Sequence, residues 1–355
     1  MCHPGCTDGP DRFATRGVVL YPWDLTLRDW PARAAAADLT TIALTAARRL
    51  DVLIGFVGSE AGAAFLEECK RLGLEVEYEL HAVGELLSRE LFFRDDGLFR
   101  MDEAGRRTDD ANCCPSSPAA LEIIAGKAVE IARVLAPTTG RYFFWPDDGR
   151  EWCRCPRCKD LSPSEQAVLV ENAVVEALRR HVDPGAILCH LAYRHTLAPP
   201  RRVKPHEGLF LEFAPINRAY DRSIAERDVS LAGGGPDPES HGGYLDLLDA
   251  NLEVFGRRTA QVLEYWLDVS RFSGWVRPAQ RLPWHPGILA ADAEAYARRG
   301  IGHVTSFATW IDADYVQAHG EPPLLEYGRI LGGWGVGVGG ADSPPAPRRR
   351  GEHRY

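Results

Sequence analysis

Eight short apolar runs, spread along the chain and mostly separated by amphipathic segments, limit the fold more than any other feature. They are Gly17–Trp23, Thr40–Ala46, Glu75–His81, Arg141–Asp147, Ile187–Tyr193, Leu209–Pro215, Gln261–Asp268 and His303–Trp310. Each has the length of a strand, and the segments at 59–73 and 117–136 carry apolar residues at i, i+3, i+4 and i+7, the helical period. The segment at 162–181 opens on a Ser/Glu capping signal and stops before Asp183-Pro184. Strand alternating with helix eight times predicts a (β/α)₈ barrel over residues 16–332, flanked by disordered tails at 1–15 and 333–355. The second strand is the least secure, because residues 48–56 (RRLDVLIGF) could form one instead. An open doubly wound sheet is the alternative, but no Gly-rich fingerprint follows the first strand.

Composition narrows the function. The chain has 355 residues, with 50 acidic against 41 basic side chains and a net charge of −9, so it lacks the basic footprint of a nucleic-acid binder. No apolar run approaches the roughly 18 residues that a membrane helix requires. No signal peptide is visible before residue 17, which points to the cytoplasm. Nine cysteines, an odd number, read as reduced thiols or a metal site rather than a disulfide framework.

The strands themselves carry the chemistry. Barrel strands are buried on both faces and should be continuously apolar. Instead Glu77, Glu79 and His81 alternate with Val76, Tyr78 and Leu80; Glu212 interrupts the sixth run, His190 the fifth and Glu264 the seventh. A period of two assigns the polar face to the barrel interior. No Lys or Arg alternates into the middle of these strands, so acids outnumber bases there, and some carboxylates should titrate high or face a wet cleft.

The fourth run ends in Asp147-Asp148-Gly149, either a turn signal or two carboxylates with different tasks. Trp23, Trp145, Trp266 and Trp310 lie at strand ends. Flat amphipathic rings there suit stacking on sugar faces, or ordinary core packing. Cys153, Cys155 and Cys158 form C-x-C-x-x-C just beyond the Asp pair, and Cys113, Cys114 or a histidine could complete a tetrahedral zinc set, with Cys114 the fourth ligand we favour. Such a thiolate site would be structural, being too soft to act as a Lewis acid.

The motifs RGVVLYPWD, EVEYELHA, DANCCPSS, YFFWPDDG-x-x-WC-x-C-x-x-CK, FLEFAPI and AQVLEYWLDVSRFSGW resemble a group of bacterial proteins known only as a domain of unknown function and placed among the TIM-barrel glycoside hydrolases. The resemblance spans about residues 16–330 and implies a (β/α)₈ barrel with a carbohydrate-active role. More distantly, an acidic pair ending the fourth strand is similar to that of hexosaminidases with substrate-assisted catalysis. On that pattern Asp147 orients the substrate and Asp148 protonates the leaving oxygen.

The resulting expectation is a glycoside hydrolase that needs no cofactor. Asp148 is the general acid, Glu264 the second carboxylate and Asp147 an orienting group. Glu79, His81, Trp145, His190, Tyr193, Glu212, Trp266 and Trp310 contact a carbohydrate. Arg100 and Arg106 either cover the site, meet an acidic sugar, or are solvated. Two rivals stand beside it: a non-catalytic carbohydrate-binding barrel, and a metal-dependent isomerase or lyase with His81, His190 and the glutamates around a hard cation.

Overall fold

A strand forms at each of the eight apolar runs. The computed structural model describes residues 13–46, 49–232 and 234–333. The strands are β1 (Thr15–Leu20), β2 (Thr41–Thr45), β3 (Glu75–His81), β4 (Arg141–Trp145), β5 (Ile187–Ala192), β6 (Leu209–Phe213), β7 (Gln261–Glu264) and β8 (His303–Phe307). Each pairs in parallel with the next, and β8 closes on β1 from Thr15↔His303 to Val19↔Phe307, giving a closed barrel. Most strands end two to four residues before the apolar runs do. The remainder of each run turns into the loops at the C-terminal mouth, where such barrels place their sites.

The helices are α1 (Trp30–Ala36), α2 (Leu50–Val57), α3 (Glu60–Leu72), α4 (Val83–Leu86), α5 (Pro118–Val134), α6 (Pro163–His181), α7 (His241–Phe255), α8 (Val269–Phe272), α9 (Pro286–Ala297), α10 (Ala313–His319) and α11 (Leu324–Leu331). Their ends follow local chemistry. Ser162 caps α6 and Glu165 returns the bond, closing a capping box, while Gly73 ends α3 in the left-handed conformation at φ 72°. The stretch that competed with β2 is α2. Among the described residues, no helix is long and apolar enough to cross a membrane.

Phe13 is fully buried and β1 starts at Thr15, so ordered structure begins earlier than the expected boundary at residue 16. The tails expected at 1–12 and 334–355 lie outside the described residues.

The barrel interior is polar at mid-height. Gln261 donates to Glu79, Glu212 and Thr305, and accepts from Arg141. Arg141 also lies 3.5 Å from Glu77. It is the interior cation that the sequence reading missed, because it stands first in β4 rather than in its middle. Three carboxylates against one guanidinium leave an excess of acid. Burial pushes Glu79 well above the usual carboxylate range, reinforced by Glu212 and Glu77, and it pushes Glu212 and Glu77 up as well.

Candidate active site

Tyr193, the residue after β5, donates its hydroxyl to Oδ1 of Asp148 at 2.9 Å. This bond joins the turns after β4 and β5, and Asp148 is exposed at the mouth. A narrow hollow opens beside it, lined by His81, Asp147, Gly149, Trp152, Tyr193 and His195. His81 Nδ1 lies 2.6 Å from the Pro146 carbonyl, which can only accept. Nδ1 therefore carries a hydrogen, and in the neutral ring Nε2 is the acceptor.

Asp147 is committed elsewhere. Its Oδ1 accepts from the Gly84 backbone N–H at 2.8 Å and its Oδ2 from the Asn112 N–H at 2.6 Å, with Arg89 3.6 Å away. Its own N–H donates to Asn112 Oδ1. The residue expected to orient a substrate thus staples three loops into the wall that carries Asp148. A Cβ at Gly84 would stand 2.5 Å from both Asp147 oxygens, so any side chain there would push that carboxylate off its backbone donors.

Several expected site residues face away from the cleft. Glu264 points outward from β7 and is fully buried against Arg218 Nε at 3.1 Å and the Tyr296 hydroxyl, with Asp292 bonded to the same guanidinium. Trp266, on the same face, donates to Asp292 and lines a second hollow with Tyr220, Phe272 and Trp284. His190 points outward from β5, pairs with Glu171 of α6 at 2.8 Å and stacks on Phe255. In β5 and β7 the polar residue faces the helices because those helices and loops bring their own buried charge. Glu79 and Glu212 do point inward, but they are sealed beneath Trp145, which is 1 % exposed and donates to Glu212 at 2.8 Å. A ring of His81, His190 and glutamates around a hard cation is therefore not formed. Arg100 is bonded to Asp110 and Arg106 to Asp102 within their own loop.

The mouth contains groups that sequence reading passed over. Tyr21 stacks on Trp23 at 4.3 Å, and Tyr265 stacks on Phe307 at 5.3 Å. Asp268, after β7, receives Ser270, Thr309 and the Arg271 N–H, all on Oδ1, while Oδ2 accepts nothing among the described residues. Burial raises Asp268 above its ordinary range. Burial also raises the phenols of Tyr21 and Tyr265, and the charges of Asp148 and Asp268 both act on each ring. Both carboxylates therefore act on the same pair of rings. Asp268 ends the seventh run, and alternation alone does not separate it from Glu264. Trp310 reaches this rim with Arg277 over its ring at 4.4 Å, and its backbone N–H donates to Asp24.

Cys114, Cys153, Cys155 and Cys158 come together as expected: their sulfurs all lie within 4.8 Å of one another and are buried. Cys113 packs into the main core instead.

The profile of a family described as a domain of unknown function, DUF4838, matches residues 61–231. That stretch holds Asp148, Tyr193 and the four clustered cysteines, but not Asp268. No curated protein matches the sequence. Among solved structures, the fold is similar to Gan42B, a GH42 beta-galactosidase from G. stearothermophilus, with a TM-score of 0.57 at 12 % identity over 91 % of this chain and 57 % of that one. It is also similar to the beta-galactosidase from Rahnella sp. R3 (TM-score 0.57, 12 % identity, 92 % and 57 % covered). A third is the beta-galactosidase from the psychrophilic Marinomonas ef1 (TM-score 0.54, 13 % identity, 89 % and 59 % covered). The chain thus spans less than two thirds of the length of these enzymes.

Proposed function

We propose that this barrel is a glycoside hydrolase in which Asp148 protonates the leaving oxygen and Asp268 presents its Oδ2 to the anomeric carbon. The observation that carries the reading is the placement of Asp148, an exposed carboxylate fixed by Tyr193 at the mouth of a closed barrel. The Tyr193 bond occupies Oδ1 and leaves Oδ2 to hold the proton. As the glycosidic C–O bond breaks, that proton passes to the departing oxygen and the carboxylate of Asp268 offsets the positive charge on the sugar; a water molecule then adds to the anomeric carbon and gives its proton back to Asp148. Tyr21, Trp23 and Tyr265 supply flat faces for the ring, and Nε2 of His81 accepts from a hydroxyl. The glycosidases of similar fold support this reading.

The test is hydrolysis of a panel of aryl glycosides by the wild type and Asp148→Asn. Removing a general acid lowers rates by about 10²–10⁴. We expect at least a hundredfold loss on nitrophenyl glycosides and a smaller one on dinitrophenyl glycosides, whose leaving groups need less protonation. Unchanged turnover removes Asp148 from its role. Saturable sugar binding without turnover makes the barrel a binding protein instead.

The four clustered cysteines fit a structural zinc ion. Tetrahedral zinc with bonds of about 2.3 Å requires sulfurs about 3.8 Å apart, and Cys114 stands 3.8 Å from Cys155 and 4.0 Å from Cys158. The Met101 and Cys155 N–H groups and Arg107 are aimed at Cys153 Sγ, the donor set that a thiolate ligand calls for. Four thiolates would close the coordination shell, so the ion would fix the loop without entering the chemistry.

A further inference from the structure

Arg194 adopts φ 47°, in the left-handed region that a β-carbon disfavours. Its guanidinium packs on Gly149, the residue after Asp148. A Cβ at Gly149 would lie 3.4 Å from Arg194 Cδ and Nε, and Gly149 itself sits at φ 59°. The two turns therefore interlock twice, through Tyr193 on Asp148 and through Arg194 on Gly149. Arg194 Nε is buried and has no hydrogen-bond partner. No carboxylate lies in salt-bridge range of this guanidinium among the described residues. Three other arginines near the mouth are paired, Arg89 with Asp147, Arg100 with Asp110 and Arg277 with Asp312, whereas Arg150, which lines the hollow, is exposed. A strained backbone that holds an unpaired, half-buried guanidinium beside a candidate acid has the character of a site waiting for an anion.

We infer that Arg194 forms a subsite for an anionic group on the sugar, either the carboxylate of a uronic acid or a sulfate ester, next to the bond that Asp148 would cleave. The inference rests on the glycoside hydrolase reading and names its substrate class. Two acidic groups act on the neighbouring Tyr193 phenol, Asp148 and Asp237. Asp148 is engaged by the Tyr193 hydroxyl, and Asp237 by the Tyr244 hydroxyl and the Asn217 amide. Neither lies in salt-bridge range of Arg194. The arginines first considered for an acidic sugar, Arg100 and Arg106, are already neutralised within their loop.

The test measures binding by titration calorimetry to Asp148→Asn, and turnover by the wild type. The probes are nitrophenyl glucuronides and galacturonides, their neutral glucoside and galactoside counterparts, and the 6-sulfated forms. A charge-assisted bond should favour the acidic probes by about tenfold to a hundredfold, with the preference weakening as salt is added. Preference for uronides over sulfated sugars, or the reverse, identifies which oxyanion fits. In Arg194→Gln the preference should fall to near one. Arg194→Gly should do the same while keeping or raising the melting temperature, because glycine suits φ 47°. Equal handling of acidic and neutral probes, or a preference that survives Arg194→Gln, overturns the subsite. Arg194-dependent binding of acidic sugars without cleavage of any glycoside sinks the hydrolase reading and leaves the subsite standing. Failure of every probe to bind overturns both.

Discussion

Asp268 shows how a carboxylate can be held without being used up. Three donors converge on one oxygen, so the side chain is fixed in rotation while the other oxygen is free of protein partners. This makes the amide an informative replacement. In Asp268→Asn the carbonyl oxygen can still accept all three bonds, and the NH₂ falls where nothing donates. We expect at least a hundredfold loss of glycoside hydrolysis with little change in melting temperature. That loss should be as large for dinitrophenyl as for nitrophenyl leaving groups, unlike the loss in Asp148→Asn, because Asp268 acts on the sugar and not on the departing oxygen. A loss that tracks leaving-group acidity would place Asp268 in some other role. Glu264 offers the contrast: with Arg218 and Tyr296 on its oxygens it is a buried ion pair, and losing its charge would strand the guanidinium.

At the scale of elements, the loop after β4 joins the cleft to the cysteine cluster, since Asp148 and Cys153 are five residues apart. Purified protein should contain about one zinc per chain by mass spectrometry of metals. Cys155→Ser or prolonged chelation should remove the metal and lower the melting temperature, because the energy of metal binding is available to the fold. Protein that is equally stable with no bound metal would leave the four cysteines as a thiol cluster. The sequence made this cluster legible because three of its members share one loop. It also revealed the eight strands, since a period of two and intervening helices are local signals. The facing of individual strands was another matter. Alternation says that Glu264 opposes Leu263 but not which of them turns inward. The answer lay with Arg218, 46 residues away in sequence, and with Glu171 for His190. Arg194 gave no signal at all: its interest comes from a backbone angle and a missing partner, and neither is written in composition or spacing.

For the whole molecule, the excess of acid inside the barrel ties stability to pH. Glu79 holds its proton in the folded state at pH values where the unfolded chain, titrating near 4.5, has lost it. Between those two limits the folded state binds more protons, so stability falls as pH rises, by about 1.4 kcal/mol per pH unit for each such proton. Asp24, pushed by burial up to about 7, acts in the same direction between about pH 4 and 7. His303, lowered by burial to about 4, opposes them between about pH 4 and 6.5. Glu79→Gln keeps an acceptor for Gln261 and removes one charge. Its melting temperature should exceed that of the wild type above neutral pH and approach it in acid. Parallel melting curves across pH 5–9 would show that the interior carboxylates do not titrate this way.

The staple made by Asp147 has a mechanical corollary. With Gly84, Asn112 and the Asp147 backbone tied together, the flank bearing Asp148 is braced as one block, and in the proposed hydrolase it would offer a glycan a stiff template. Trp275 and Val276, in the loop that follows β7 and α8, stand 64 % and 67 % exposed. On that reading, selectivity for the sugar next to the scissile bond would lie with the braced flank, and tolerance for a longer or branched chain with the exposed loop.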